Sequence, residues 1–235
     1  MRPEPQFLRN SMLFFTNSTI CLEPRLPTCK KFAIVATCIS MELGNFKGYP
    51  DQTIPPAPGR ILVSEPFLND NYFKRAVVLI TEHNEEGSIG FILNKPIEIS
   101  LHEVMADSPV FDGLVLMGGP VGRDTLHFIH TMGDQIKGSR KIIEGLYWGG
   151  DFDKVKELIQ DGKIYPDEIK FFVGYSGWSP NQLEQEIKQH AWFVLPGQID
   201  YIMNHDTSHL WHKILKDQGN DYAEFANYPV DPMLN

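Results

Sequence analysis

Residues 75–94 hold the pattern that most narrows what this chain can fold into. Arg75-Ala-Val-Val-Leu-Ile-Thr-Glu-His83 is rich in β-branched residues and apolar at consecutive positions, as expected of a strand buried on both faces. Asn84-Glu-Glu-Gly87 supplies turn residues, with glycine where a positive φ is wanted. Ser88-Ile-Gly-Phe-Ile-Leu-Asn94 then returns as the partner, with Ile89, Phe91 and Leu93 alternating onto one face. This hairpin commits the chain to a sheet.

Other segments follow the same logic. Arg60-Ile-Leu-Val-Ser64, Leu114-Val-Leu-Met117, Thr125-Leu-His-Phe-Ile-His-Thr131, Ile169-Lys-Phe-Phe-Val-Gly-Tyr175 and Ala191-Trp-Phe-Val-Leu-Pro196 all read as short strands, the fourth feeding a glycine-marked turn. Between Gly150 and Gly162, Asp151 or Asp153 can cap a helix with Val155, Leu158 and Ile159 inward. Ser179 is placed to cap a second helix, with Pro180 at its first position, Gln182 in the capping-box position and an outward Glu184–Lys188 pair. His205 to Gln218 reads as a last helix, stopped by Gly219. Strands outnumber helices and no regular βαβ alternation occurs, so the expected class is α+β on a largely antiparallel or mixed sheet.

The first forty residues differ from the rest. They contain all three cysteines, Cys21, Cys29 and Cys38, and carry Arg2, Arg9, Arg25, Lys30 and Lys31 against Glu4 and Glu23. That surplus of +3, in a chain of formal charge −9, leaves −12 for residues 41–235. An acidic body repels phosphate backbones at long range, which makes direct nucleic-acid binding unlikely to be the function. A cysteine-free body has no disulfide, thiolate nucleophile or Cys-ligated zinc, so an intracellular, cytoplasmic home is the natural expectation. Lys30-Lys31 before Phe32–Ile39 mimics a signal peptide, but its apolar run is only eight residues and a long, partly acidic stretch precedes it. An upstream start, with Met41 near the true beginning, explains it better. Residues 1–57 are accordingly expected to be a disordered or poorly ordered extension and linker, and 58–235 one domain. No apolar run approaches the ~20 residues of a membrane span.

Several motifs stand in one order along this body: Gly59–Pro66, Asp70 with Phe73–Ile80, His83 with Gly87 and Gly90–Pro96, Gly118–Val121, Gly145–Tyr147, Gly174–Trp178, Gln182–Glu186, Ala191-Trp192 and Leu210-Trp211. Together they resemble the YqgE/AlgH family across about residues 58–220. The resemblance implies a single α+β domain, its strands wrapped into an irregular partial barrel with helices packed outside. It also implies a cytoplasmic protein with no established enzymatic activity, from a family sometimes labelled transcriptional regulators on genetic grounds. It supplies no cofactor and no metal ligands, and the family usually has alanine where this chain has Ser176.

Candidate chemistry is sparse. Gly174-Tyr-Ser-Gly-Trp178 imitates a hydrolase elbow, but tryptophan replaces its closing glycine, so a small residue in a tight turn is the plainer reading of Ser176. His83, His127 and His130 are its conceivable bases, although an odd step puts His127 and His130 on opposite faces of their strand. Gly118-Gly119-Pro120, and the helix start at Gly177-Trp-Ser-Pro180, could receive an anion, although turn chemistry and self-capping explain both. His205, His209 and His212 share a face only if their helix is continuous, and the Glu of H-E-x-x-H is missing, so no metal is expected. Trp178, Trp192, Trp211 and Tyr147 default to core packing. Two functions follow: a non-catalytic regulatory or interaction protein, or a small-molecule binder or enzyme whose site gathers Asn94, Gly118, Gly119, Pro120, Gly174, Gly177, Trp178 and Gln182. The partner is an unidentified protein or small molecule.

Overall fold

The computed structural model describes residues 54–229. The expected extension over residues 1–57, with the three cysteines, therefore lies almost wholly outside the described residues. No helix of the described chain is long and apolar enough to cross a membrane.

Nine strands form one sheet: β1 (Arg60–Ser64), β2 (Val77–Asn84), β3 (Gly87–Ile92), β4 (Val115–Met117), β5 (Val121–His130), β6 (Arg140–Ile143), β7 (Leu146–Trp148), β8 (Ile169–Trp178) and β9 (Trp192–Pro196). Their order is β6-β7-β5-β8-β3-β2-β1-β9, with β4 joined to β8. The β4–β8 pair is parallel and the rest are antiparallel. The sheet stays open, but its ends curl together. A Cβ placed on Gly59, just before β1, would sit 2.1 Å from Ile143 of β6, so the Ile143 side chain of one edge strand lies against main chain next to the far edge without strand pairing. The expected partial barrel is thus an open, curled sheet.

The hairpin of β2 and β3 turns through Glu85-Glu86, with Asn84 opposite Gly87. Phe91 and Leu93 share one face as expected, and the opposite face of β3 is apolar as well. A bulge at Thr81 shifts the register, so Ile80 faces Gly90 while Glu82 faces Ile89. Phe91 and Leu93 enter the largest core with Val77 and Leu79, whereas Ile92 joins Val78 and Ile80 on the other face. Both faces of this hairpin are covered, at about 1.5–3 kcal/mol of hydrophobic stabilisation per large side chain.

Six short helices cover the sheet: α1 (Leu101–Val104), α2 (Phe152–Gln160), α3 (Gln182–Lys188), α4 (Ile199–Ile202), α5 (Leu210–Asp217) and α6 (Asn220–Ala226). Asp151 caps α2 by accepting from the N–H groups of Asp153 and Lys154. The helix expected from His205 begins only at Leu210. Asn204 Oδ1 takes the Asp206 N–H, and Asp206 Oδ1 takes the Ser208 hydroxyl and the His209 N–H, so short polar side chains hold this segment in turns. Ser179 does not cap α3 either. The N-cap is Asn181 at φ 62, and the Gln182 side chain reaches back to accept from the Ser179 N–H. Glu184 meets His83 across the sheet, at 3.5 Å, rather than Lys188 on its own helix.

Candidate functional site

The structure brings Gly118, Gly119 and Gly174 together, at a junction of strands rather than a ligand cradle. β8 is not a strand ending in a turn at Gly174; it runs on to Trp178, paired first with β4 and then with β3. Gly174 holds φ 68, and a Cβ there would lie 2.7 Å from the Val121 carbonyl oxygen. A Cβ on Gly118 would lie 2.2 Å from the Gly174 carbonyl. Main chain fills this space, so Pro120 simply carries the chain into β5. Gly177 is paired with Ile89 inside β8.

Ser176 therefore lies in a strand opposite Gly90, fully buried, and its hydroxyl donates to the Gly118 carbonyl at 3.0 Å. Two serine–histidine contacts are chemically closer to a nucleophile: buried Ser88 Oγ lies 2.8 Å from His83 Nδ1, whose Nε2 is 3.5 Å from Glu184, and Ser139 lies beside His130. His130, fully buried and stacked on Tyr147, puts Nε2 2.9 Å from Ser139 Oγ at a shallow depression of about 540 Å³. Its tautomer opposes catalysis. Nδ1 accepts the Met132 N–H at 3.2 Å, so Nε2 carries the proton and also faces the Gly149 carbonyl at 3.1 Å. Burial lowers the imidazole's pKa despite that Gly149 bond. His127 is on the other face of β5, among Phe91, Trp148 and Tyr175, where burial lowers it to about 4. His83 is held by Ser88 at the hairpin end.

Trp178, expected to be core packing, and Gln182, expected to complete a capping box, belong to one buried clamp. Glu186 on α3 is 4% exposed, and its Oε2 accepts both indole N–H groups, from Trp178 at 2.9 Å and Trp192 at 2.8 Å. Its Oε1 accepts the Gln182 amide at 2.9 Å. Three donors satisfy the carboxylate, which fixes α3 on the sheet. The histidine trio does not form a face: His205 and His209 precede α5, His209 lies beside Asp206, and His212 turns to Arg75. Among the described residues no group of three ligating side chains is placed to hold a metal.

The motif segments converge instead at the open end of the hairpin. Arg75, just before β2, holds φ 51, a left-handed conformation costing a non-glycine residue about 1–2 kcal/mol. Asn94 grips that kink, accepting the Val77 N–H at 2.9 Å and donating to the Arg75 carbonyl at 2.8 Å. Lys95 Nζ donates to the Lys74 carbonyl at 2.9 Å. The Arg75 guanidinium lies over Trp211, 4.9 Å from the ring centroid, and Trp211 is pinned to the Ser64 carbonyl. Nη1 is 3.1 Å from His212 Nε2, Nη2 donates to the Tyr228 carbonyl, and Nε is buried without a partner.

No carboxylate pairs with Lys74, Arg75 or Lys95 among the described residues. Burial lowers the Arg75 pKa; burial and then Lys74 lower that of Lys95. Burial, then Arg75, Lys216 and His209, lower His212, which stands as a neutral acceptor for the guanidinium at neutral pH. In the sequence these cations fall within the motif segments Phe73–Ile80 and Gly90–Pro96, where Arg75 heads a strand.

A family model described as AlgH-like (DUF179) matches residues 61–223. The chain is 41% identical over 178 residues to a UPF0301 protein of Cytophaga hutchinsonii, covering 75% of this chain and 98% of that one. A UPF0301 protein of Chlorobium limicola is 43% identical over 178 residues, covering 76% and 95%. Among solved structures, protein DIP2367 of Corynebacterium diphtheriae superposes with a TM-score of 0.62 at 22% identity, over 74% of this chain and 94% of that one. The solution structure of the AlgH protein from Pseudomonas aeruginosa gives 0.60 at 24% identity, over 77% and 98%.

Proposed function

The chain belongs to the AlgH-like family, and from the placement of its motif residues we propose that it works by binding rather than by catalysis, as a cytoplasmic regulatory or interaction protein. The observation that carries this reading is the state of three serine hydroxyls, of which Ser88, 2.8 Å from His83 Nδ1 with Glu184 3.5 Å from Nε2, is buried inside the paired strand β3. Ser176 donates to a main-chain carbonyl within the sheet, and Ser139 faces a histidine nitrogen that already holds its proton. A serine nucleophile needs an unprotonated base within hydrogen-bond reach, and the tautomer of His130 is set the other way. The acidic body further opposes direct contact with nucleic acid, so any regulatory effect runs through a protein or small-molecule partner.

Fluorophosphonate labelling of the purified chain tests the reading. Ser88, Ser139 and Ser176 are expected to stay unmodified under conditions that label a serine hydrolase to completion. Modification of any of these serines, abolished by heat and by its alanine variant, would replace this function with hydrolysis. The small-molecule alternative is favoured by one specific observation, the depression of about 540 Å³ beside Ser139.

A further inference from the structure

We propose that the depression beside β6 and β7 binds a free amino acid with a planar, apolar side chain, holding the zwitterion by both of its charges. The inference rests on the reading that the chain works by binding, and supplies the ligand class that reading leaves open. The depression, about 540 Å³, falls in the size range of small-molecule sites and is lined by the loop joining β5 to β6 together with Lys141 and Tyr147. Its wall is fixed from beneath. His130, fully buried, donates from Nε2 to Ser139 Oγ at 2.9 Å, and the Ser139 hydroxyl donates in turn to the Ile136 carbonyl at 2.6 Å. One lone pair of that hydroxyl is left as an acceptor on the cavity wall. Gly138, between Lys137 and Ser139, holds φ 76, and this left-handed turn brings both neighbours to the same cavity.

The charges at the rim select the ligand. Asp134 and Lys137 are exposed, stand three positions apart in this loop and line one cavity. Neither side chain has an ion pair or hydrogen bond among the described residues, with the other or with any third group. Lys141, the other cation of the lining, is already held by Glu144. One carboxylate and one ammonium are thus left open. A simple anion would meet Asp134, and a simple cation would meet Lys137. A zwitterion meets neither penalty: its ammonium donates to Asp134 and to the Ser139 lone pair while its carboxylate accepts from Lys137. The rest of the wall suits an apolar side chain. Ile136 is 1% exposed, and the partly exposed Tyr147 ring is backed by stacking on His130, 5.7 Å between centroids at 16°. Both rim charges are solvated, so each contributes only a few-fold, and affinity at about the millimolar level follows.

The full chain, labelled with nitrogen-15, is titrated with phenylalanine, with N-acetylphenylalanine, which lacks the ammonium, and with phenylalaninamide, which lacks the carboxylate. The main-chain amide resonances of Gly138 and Ser139 are followed. Phenylalanine should give saturable shifts, and each derivative should bind about threefold to fivefold more weakly. Asp134→Asn should erase the preference over N-acetylphenylalanine and keep that over phenylalaninamide, and Lys137→Gln should do the reverse. Both positions are exposed, so neither change threatens the fold. Lys163→Gln, whose lysine pairs with Asp161 elsewhere, should keep both preferences. Absence of saturable shifts at millimolar phenylalanine, a derivative that binds as well as phenylalanine, or variants that fail to separate the two preferences would overturn the site. Fluorophosphonate labelling reports on the serines alone, so the two readings fail separately.

Discussion

Lys170 offers a quantitative test of how this sheet is assembled. It sits in β8 opposite Ile129, fully buried, and its ammonium donates to the Asn204 carbonyl with no carboxylate nearby among the described residues. Burial lowers its pKa to about 8 from an ordinary 10.5. Between those two pH values the unfolded chain binds the proton more readily than the native one, so stability rises as pH rises from about 8 to 10.5. Below 8 the penalty is fully present. The interval corresponds to about 3 kcal/mol at 1.36 kcal/mol per unit. Lys170→Met keeps the length of the stem and removes the charge, at the cost of an unmade hydrogen bond to Asn204, about 1–2 kcal/mol. The variant should therefore be more stable than the native chain by about 1–2 kcal/mol near neutrality, and less stable by a similar amount above about pH 10. Urea unfolding of both chains at several pH values across this range measures the crossing. Lys141, Lys154, Lys156 and Lys213 have raised values, chiefly through carboxylate partners, and burial then Asp217 raise Tyr201, so all five bias the slope the opposite way. They cancel in the difference between the two chains. A difference that stays flat from pH 8 to 10, or a variant weaker at pH 7, would show that the Lys170 ammonium is solvated in the native state.

Two further outcomes follow from the described contacts. Glu186→Leu strands the indole N–H groups of Trp178 and Trp192 together with the Gln182 amide, so thermal unfolding should report a loss of about 3–5 kcal/mol, and Glu186→Gln a smaller one; a leucine variant as stable as the native chain would refute the clamp. Calorimetric titration with zinc at neutral pH should give no tight one-to-one binding that depends on His209, because α5 starts after that residue.

How much of this was legible in the sequence depended on whether local chemistry or long-range approach decided each feature. The β2–β3 hairpin and the Asp151 cap were readable because turn residues and apolar periodicity act within a few positions. The hairpin of β6 and β7 was not recognised as paired strands, since Arg140-Lys141 reads as surface and its short apolar runs lack alternation. The glycines at 118, 119 and 174 were singled out correctly as special. Their reason, main chain of one strand pressed against another more than 50 positions away, has no signature in local spacing. The role of Glu186 was hidden for a related cause. A carboxylate on a short amphipathic helix is ordinarily solvated, and only the fold reveals two indoles, six positions after it and eight before it, aimed at one oxygen.

Arg75 shows what such long-range approach can assemble. In the sequence it heads a buried strand, where a charged residue is easily read as the solvated end of that strand. Its left-handed backbone cannot be inferred from residue type, because arginine has no preference for that conformation. The kink exists because Asn94, nineteen positions later, offers an acceptor to Val77 and a donor to Arg75 itself, satisfying main-chain groups that a regular strand would have paired. The kink in turn leaves the guanidinium between α5 and the Tyr228 carbonyl, where a straight strand offers no fixed position. Asn94, expected among ligand-site residues, thus spends both ends of its amide on main chain. Replacing the amide with an apolar side chain of similar size would remove both bonds and release the kink, and with it the fixed place of the guanidinium against Trp211.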